Sequence, residues 1–122
     1  MSGFEVEVNT YYVTAESHPE DEHYVFAYTI TITNKGDAAG QLLHRHWVIT
    51  DASGHVEEVR GSGVVGEQPR LESGREYRYT SGVVLKTPVG SMQGSYEFVR
   101  DDGKDFSVPI PVFSLSVPNM VH

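Results

Sequence analysis

The chain contains no cysteine and one tryptophan among its 122 residues. Without thiols it has no cysteine nucleophile, no iron–sulfur cluster and no cysteine-type zinc site; this fits a reducing compartment. Basic charge is also scarce: 9 Lys and Arg stand against 17 Asp and Glu, a net charge of −8. The basic residues are scattered singly from Lys35 to Lys104. Nucleic-acid binders present a basic stripe, so nucleic acid is not an expected partner, and an acidic surface attracts cations or a basic protein instead. Long hydrophobic runs are missing too. The longest uncharged stretch, 106–121, is broken by Pro109, Pro111 and Pro118, too short and interrupted to span a bilayer. The start Met-Ser-Gly-Phe-Glu-Val has neither the basic nor the apolar region of a signal peptide. A cytoplasmic protein without a membrane segment is expected. No segment sustains helical spacing.

What is present is alternation. Phe4, Val6 and Val8 alternate with Glu5 and Glu7, and Tyr24, Phe26, Tyr28, Ile30 and Ile32 form one long apolar face, the signature of strands with one side buried. Further strands are expected at 41–50, 55–60, 76–84, 91–99 and 104–112. The breaks carry turn residues, among them Asn34-Lys35-Gly36-Asp37, Asp51-Ala52-Ser53-Gly54 and Asp102-Gly103. About seven short strands predict a single domain over 1–122: an all-β, antiparallel sandwich of the immunoglobulin-like or fibronectin type III-like kind, with a small barrel as the other option. Pro109 and Pro111 remove two backbone donors and place the last strand at a sheet edge.

Gly61-Ser62-Gly63-Val64-Val65-Gly66 spells G-x-G-x-x-G. In dinucleotide-binding folds this loop opens a helix; here Glu67-Gln68-Pro69 follows, and that reading fails. Two readings remain. The glycines serve a strand connection with unusual backbone angles, or they present N–H groups to an anion, with Arg60, Arg70 and Arg45 adding charge. The ligand in the second case is pyrophosphate or a nucleotide polyphosphate. Ser62 does not sit in the G-x-S-x-G context of a hydrolase.

His44 and His46 lie two apart on a strand and share a face. With a third ligand, such as His55, they would hold a divalent cation; otherwise they are ordinary histidines beside a core Trp47. The acidic segment 16–23 offers oxygen ligands but matches no EF-hand spacing.

From 45 to 99 the sequence resembles the ApaG family, in RHWVITDASG and then VRGSGVVGEQPRLESGREYRYTSGVVLKTPVGSMQGSYEFV. The densest matches fall at 61–69, 79–82, 87–90 and 92–96; Ser73-Gly74 departs from the family's usual Pro-Gly. The resemblance implies a fibronectin-type sandwich in a bacterial family named from its gene's position beside a diadenosine tetraphosphate hydrolase. It also implies a genetic link to cobalt tolerance and magnesium efflux. Similar domains are appended to eukaryotic F-box proteins and to a DNA-polymerase-delta-interacting protein, which implies protein–protein recognition. No reaction is established for the family, so it supplies no catalytic residue and no cofactor. Gly61, Gly63 and Gly66 fall on its glycine motif. The expectation is a non-enzymatic binding module for a protein partner, connected with cobalt and magnesium homeostasis, with polyphosphate binding at the glycine loop as the alternative. Free sheet edges make a homodimer feasible.

Overall fold

A computed structural model describes residues 3–118. The strands are β1 (Phe4–Tyr12), β2 (Tyr24–Asn34), β3 (Gly40–Asp51), β4 (Val56–Ser62), β5 (Arg70–Leu71), β6 (Glu76–Leu85), β7 (Val89–Arg100) and β8 (Asp105–Ser116). They form two antiparallel sheets, β1-β2-β6 and β4-β3-β7-β8, with β5 paired to the start of β3. The sandwich is the expected one. The additional strand is β5, whose two residues are too short to show alternation. Two single-turn 3-10 helices, Thr14–Glu16 and Pro19–Asp21, lie in the acidic segment.

The apolar face of β2 turns inward, with Phe26, Ile30 and Ile32 at most 1% exposed. It packs in one core with Leu42, Trp47, Met92, Tyr96 and Phe98 of the second sheet. Each such side chain contributes roughly 1.5–3 kcal/mol by leaving water. Trp47 is ringed by Tyr28, Phe113 and Tyr96 at centroid distances of 5.4, 5.8 and 6.4 Å.

Two strands carry an extra residue, and the consequence is large. Leu42 pairs with Phe98, but His44 pairs with Glu97, leaving Leu43 as a bulge. A single inserted residue reverses which side chains face inward. Even-numbered Leu42 and odd-numbered Trp47 are therefore both buried. In β8, Pro111 and Val112 together oppose Gln93, so Val108 and Ile110 face the core and so does Leu115. β8 is an edge strand, as its prolines require; Pro109 sits opposite Ser95 and Pro111 occupies the bulge.

Asn34 is fully buried at the end of β2. Its side-chain amide donates to the Ala38 and Leu71 carbonyls, and its side-chain oxygen accepts the Gly36 N–H. This turn residue therefore pins β5 to the first sheet.

Tyr79 and Tyr96 join the two sheets through a hydroxyl–hydroxyl hydrogen bond inside the core. Burial, the dominant cause, raises both phenols above the ordinary tyrosine range. Replacing either by Phe leaves the other hydroxyl buried without its partner, at a cost of about 1–3 kcal/mol. Replacing both should cost less than the sum of the single changes, as read by urea unfolding of Tyr79→Phe, Tyr96→Phe and the double variant. An unfolded tyrosine ionises near pH 10, whereas the buried pair ionises only above that. The contribution of the neutral pair is thus complete below about pH 10 and fades as pH rises beyond it. The double variant should lose less stability over that alkaline range than the unaltered protein.

Candidate functional site

Beyond β4 the glycine motif folds into a tight hairpin tip. Val64 and Glu67 exchange two backbone hydrogen bonds of 2.8 and 2.9 Å. Between them Val65 and Gly66 take φ values of +42° and +81°, the left-handed pair that a two-residue hairpin turn requires. Gly63 has φ +64°, and a Cβ there would stand 2.4 Å from the Glu67 carbonyl oxygen. Gly61 answers to a different neighbour. Arg45 lies opposite it on β3, and a Cβ on Gly61 would meet three guanidinium atoms at 2.8 Å. That guanidinium donates through Nη1 to the carbonyls of Ser62 at 3.1 Å and Gly63 at 2.9 Å. The N–H of Gly63 donates to the Leu43 carbonyl at the β3 bulge. The N–H groups of Gly63, Val64 and Glu67 are all spent within the fold.

The residues singled out by sequence fall in different places. Arg70 grips Asp101 through Nε at 3.0 Å and Nη2 at 2.5 Å, and this pair holds the Asp101 carboxyl below the usual carboxylate range. Arg60 lies on the outer face of β4, with Nη2 3.6 Å from Glu58. His44 and His46 share that outer face, as their spacing predicts. His46 Nε2 is 2.8 Å from Glu58, and His44 stands opposite Glu97, which accepts the Ser107 hydroxyl at 2.8 Å. With Arg60, Ser62 and Ser95 they line a groove of about 540 Å³. His55 is elsewhere, in a cleft with Asp51, Glu57 and Lys86. Among the described residues no three His, Asp or Glu side chains gather into a metal-binding group.

A second concavity opens between the sheets on the β4–β6 side. It measures about 170 Å³ and is lined by Tyr28, Arg45, Trp47, Tyr79 and Ser81 under Val64 and Val65 of the glycine loop. Burial raises the Tyr28 phenol above its ordinary range, against opposing effects from the Ser81 hydroxyl and the Arg45 charge. Tyr28, Tyr79 and Ser81 are site residues that the sequence pattern does not single out. A signal existed: Arg45 shares the inward phase of Trp47 once His44 and His46 face out, and a charged side chain in a buried phase needs polar company.

The glycine positions should separate by mechanism. Gly63→Ala forces the Glu67 carbonyl to move and should cost about 3 kcal/mol or more. Gly66→Ala meets nothing within 4 Å and should cost only the left-handed backbone penalty, about 1–2 kcal/mol. Urea unfolding of both variants checks the order.

The sequence model of the ApaG domain matches residues 14–100. Protein ApaG of Azoarcus sp. (strain BH72) is 58% identical over 118 residues, covering 97% of this chain and 93% of that protein. Protein ApaG of Acidithiobacillus ferrooxidans (strain ATCC 53993 / BNL-5-31) is 56% identical with the same coverage. A solved structure of an ApaA protein from Bordetella pertussis superposes with a TM-score of 0.93 at 48% identity, covering 96% of this chain and 95% of the other. With the family's sequence pattern over residues 14–100, the fold and nearly the whole length in common, the chain belongs to the ApaG family.

Proposed function

We propose that the domain is a protein-recognition module rather than a catalyst, and that it contacts its partner through the glycine-loop tip on the β4–β6 side. One observation carries this reading. Val65, a β-branched residue, is held at φ +42° and is 57% exposed. A β-branched side chain rarely adopts that conformation, and strain of this kind persists where the surrounding structure enforces it. Here Arg45 and the Leu43 carbonyl brace the loop from below. The result is a preorganised apolar tip, which lowers the ordering cost of binding. Nearby in the fold, β4 and β6 are free sheet edges, a further feature that suits peptide or protein addition.

The acidic balance of the chain favours a partner with basic charge around an apolar contact. The link to cobalt and magnesium homeostasis that the family resemblance implies is then indirect, exerted through that partner in the cytoplasm. No helix among the described residues is long and apolar enough to cross a membrane.

The chain has no cysteine, so one introduced at Val65 is a unique attachment point for a photo-crosslinker. Val112, 63% exposed on the opposite edge strand, serves as the control position. Cross-linking in the native cell should give a discrete protein adduct from position 65 and none from 112, and Val65→Asp should weaken capture of that partner roughly tenfold or more. The same pattern from both positions would sink the reading. An adduct at the mass of two copies would identify the partner as a second chain.

A further inference from the structure

We propose that the cavity between the sheets is a binding site for a phosphate-sized oxyanion, held by the Arg45 guanidinium and the hydroxyls of Tyr28, Tyr79 and Ser81. Its lining sets the cavity apart. Arg45, Tyr28, Tyr79 and Ser81 supply the polar groups, Trp47, Val64 and Val65 supply the apolar wall, and no carboxylate is among them. Three other concavities each contain an acid: Asp105 in the first, Asp51 and Glu57 in the second, Glu97 in the third. In a chain of net charge −8, a concavity lined by one permanent cation and three hydroxyls stands apart.

Arg45 is also preorganised for the task. Its Nη1 is fixed by the carbonyls of Ser62 and Gly63. Among the described residues nothing accepts a hydrogen bond from its Nε or Nη2, so one edge of the fork stays available. Guanidinium forks match oxyanions through paired N–H bonds. Tyr28 and Tyr79 are only 5% and 7% exposed, so both rings are held in place by the core around them. The Tyr79 hydroxyl is paired with Tyr96, which can donate to it and free the Tyr79 proton for a ligand. The volume fits as well. A water molecule's share of the liquid is about 30 Å³, so about 170 Å³ is ample for a phosphate-sized ion.

This site differs from a backbone nest on the glycine loop. Its donors are side chains below the loop, while the loop's own N–H groups at Gly63, Val64 and Glu67 are taken. Val65 borders both this cavity and the exposed tip, and titration of the isolated protein reads the anion site with no partner present.

The test is titration of inorganic phosphate, against sodium chloride at matched ionic strength, into isotope-labelled protein prepared without phosphate. Saturable shifts are expected at the Arg45 Nε–H and at the Val64 and Ser81 amides. Tyr28→Phe and Ser81→Ala should each weaken binding about tenfold. Neither touches the Arg45 bonds that hold the loop, and a native spectrum of each variant establishes that it folds. Phenyl phosphate distinguishes a free ion from the terminal group of a larger molecule: tighter binding with added shifts along β4 and β6 selects the latter, and weaker binding selects the former. The proposal is overturned by any of three results: no saturation at tens of millimolar phosphate, affinity unchanged in both variants, or shifts confined to loop amides with the Arg45 Nε–H and Ser81 unmoved.

Discussion

The bulge at Leu43 is the constraint from which the rest of the site follows. One extra residue in β3 reverses the strand's facing, so that Leu42 and Trp47 both enter the core while His44 and His46 face solvent. The same reversal turns Arg45 inward, toward Tyr28 and Tyr79. A bulge also leaves a backbone carbonyl outside the regular ladder. The Leu43 carbonyl accepts the Gly63 N–H and the Gln68 side-chain amide, and the neighbouring Leu42 N–H donates to the Pro69 carbonyl. The glycine loop is thus seated on the irregularity, from the end of β4 to the start of β5. Without the bulge there would be no acceptor for the loop and no inward arginine to brace it.

Much of this was legible in the sequence, but in a form that needed the right question. The alternation of β2 names its buried face residue by residue. The bulges appear as breaks in phase: Leu42 against Trp47, and Ile110 against Phe113. A count of alternating residues reads through such breaks as noise. The glycine motif was visible as a pattern while its causes were not. Gly61 makes room for a guanidinium sixteen positions away in sequence, Gly63 makes room for a carbonyl, and Gly66 supplies a backbone angle. Spacing cannot distinguish a glycine that admits a ligand from one that admits its own neighbours. Arg70 illustrates the same limit. It stands next to the loop in sequence, yet its partner is Asp101 across the sheet, a pairing that only the register of β3 with β5 and β7 creates.

The polar groups inside this sandwich follow a consistent rule. Asn34 and the Tyr79–Tyr96 pair are buried and satisfied; Asn34 joins β2 to β5, and the tyrosines join β6 of one sheet to β7 of the other. Among the described residues, no buried side-chain nitrogen or oxygen lacks a hydrogen-bond partner. A satisfied buried hydrogen bond adds little net stability, but breaking one partner away is expensive. Such groups therefore penalise wrong sheet registers more than they stabilise the right one. That is useful in a fold where a one-residue slip would turn every core side chain outward.

Arg45 makes fold and site hard to separate. Its Nη1 bonds hold the loop, its flat face excludes a side chain at position 61, and it lines the cavity between the sheets. Removing it would release the loop tip and empty the cavity of its only charge together, so loss of any binding in such a variant would not say which part mattered. Tyr28 and Ser81 are the informative positions. They belong to β2 and β6, in the opposite sheet, and reach the cavity without touching the loop's carbonyls. A change in ligand affinity there, at unchanged fold, would be a change in recognition alone. Val65 borders the cavity yet stays 57% exposed for a partner, while Val64, its neighbour, is the one that anchors the turn in the core.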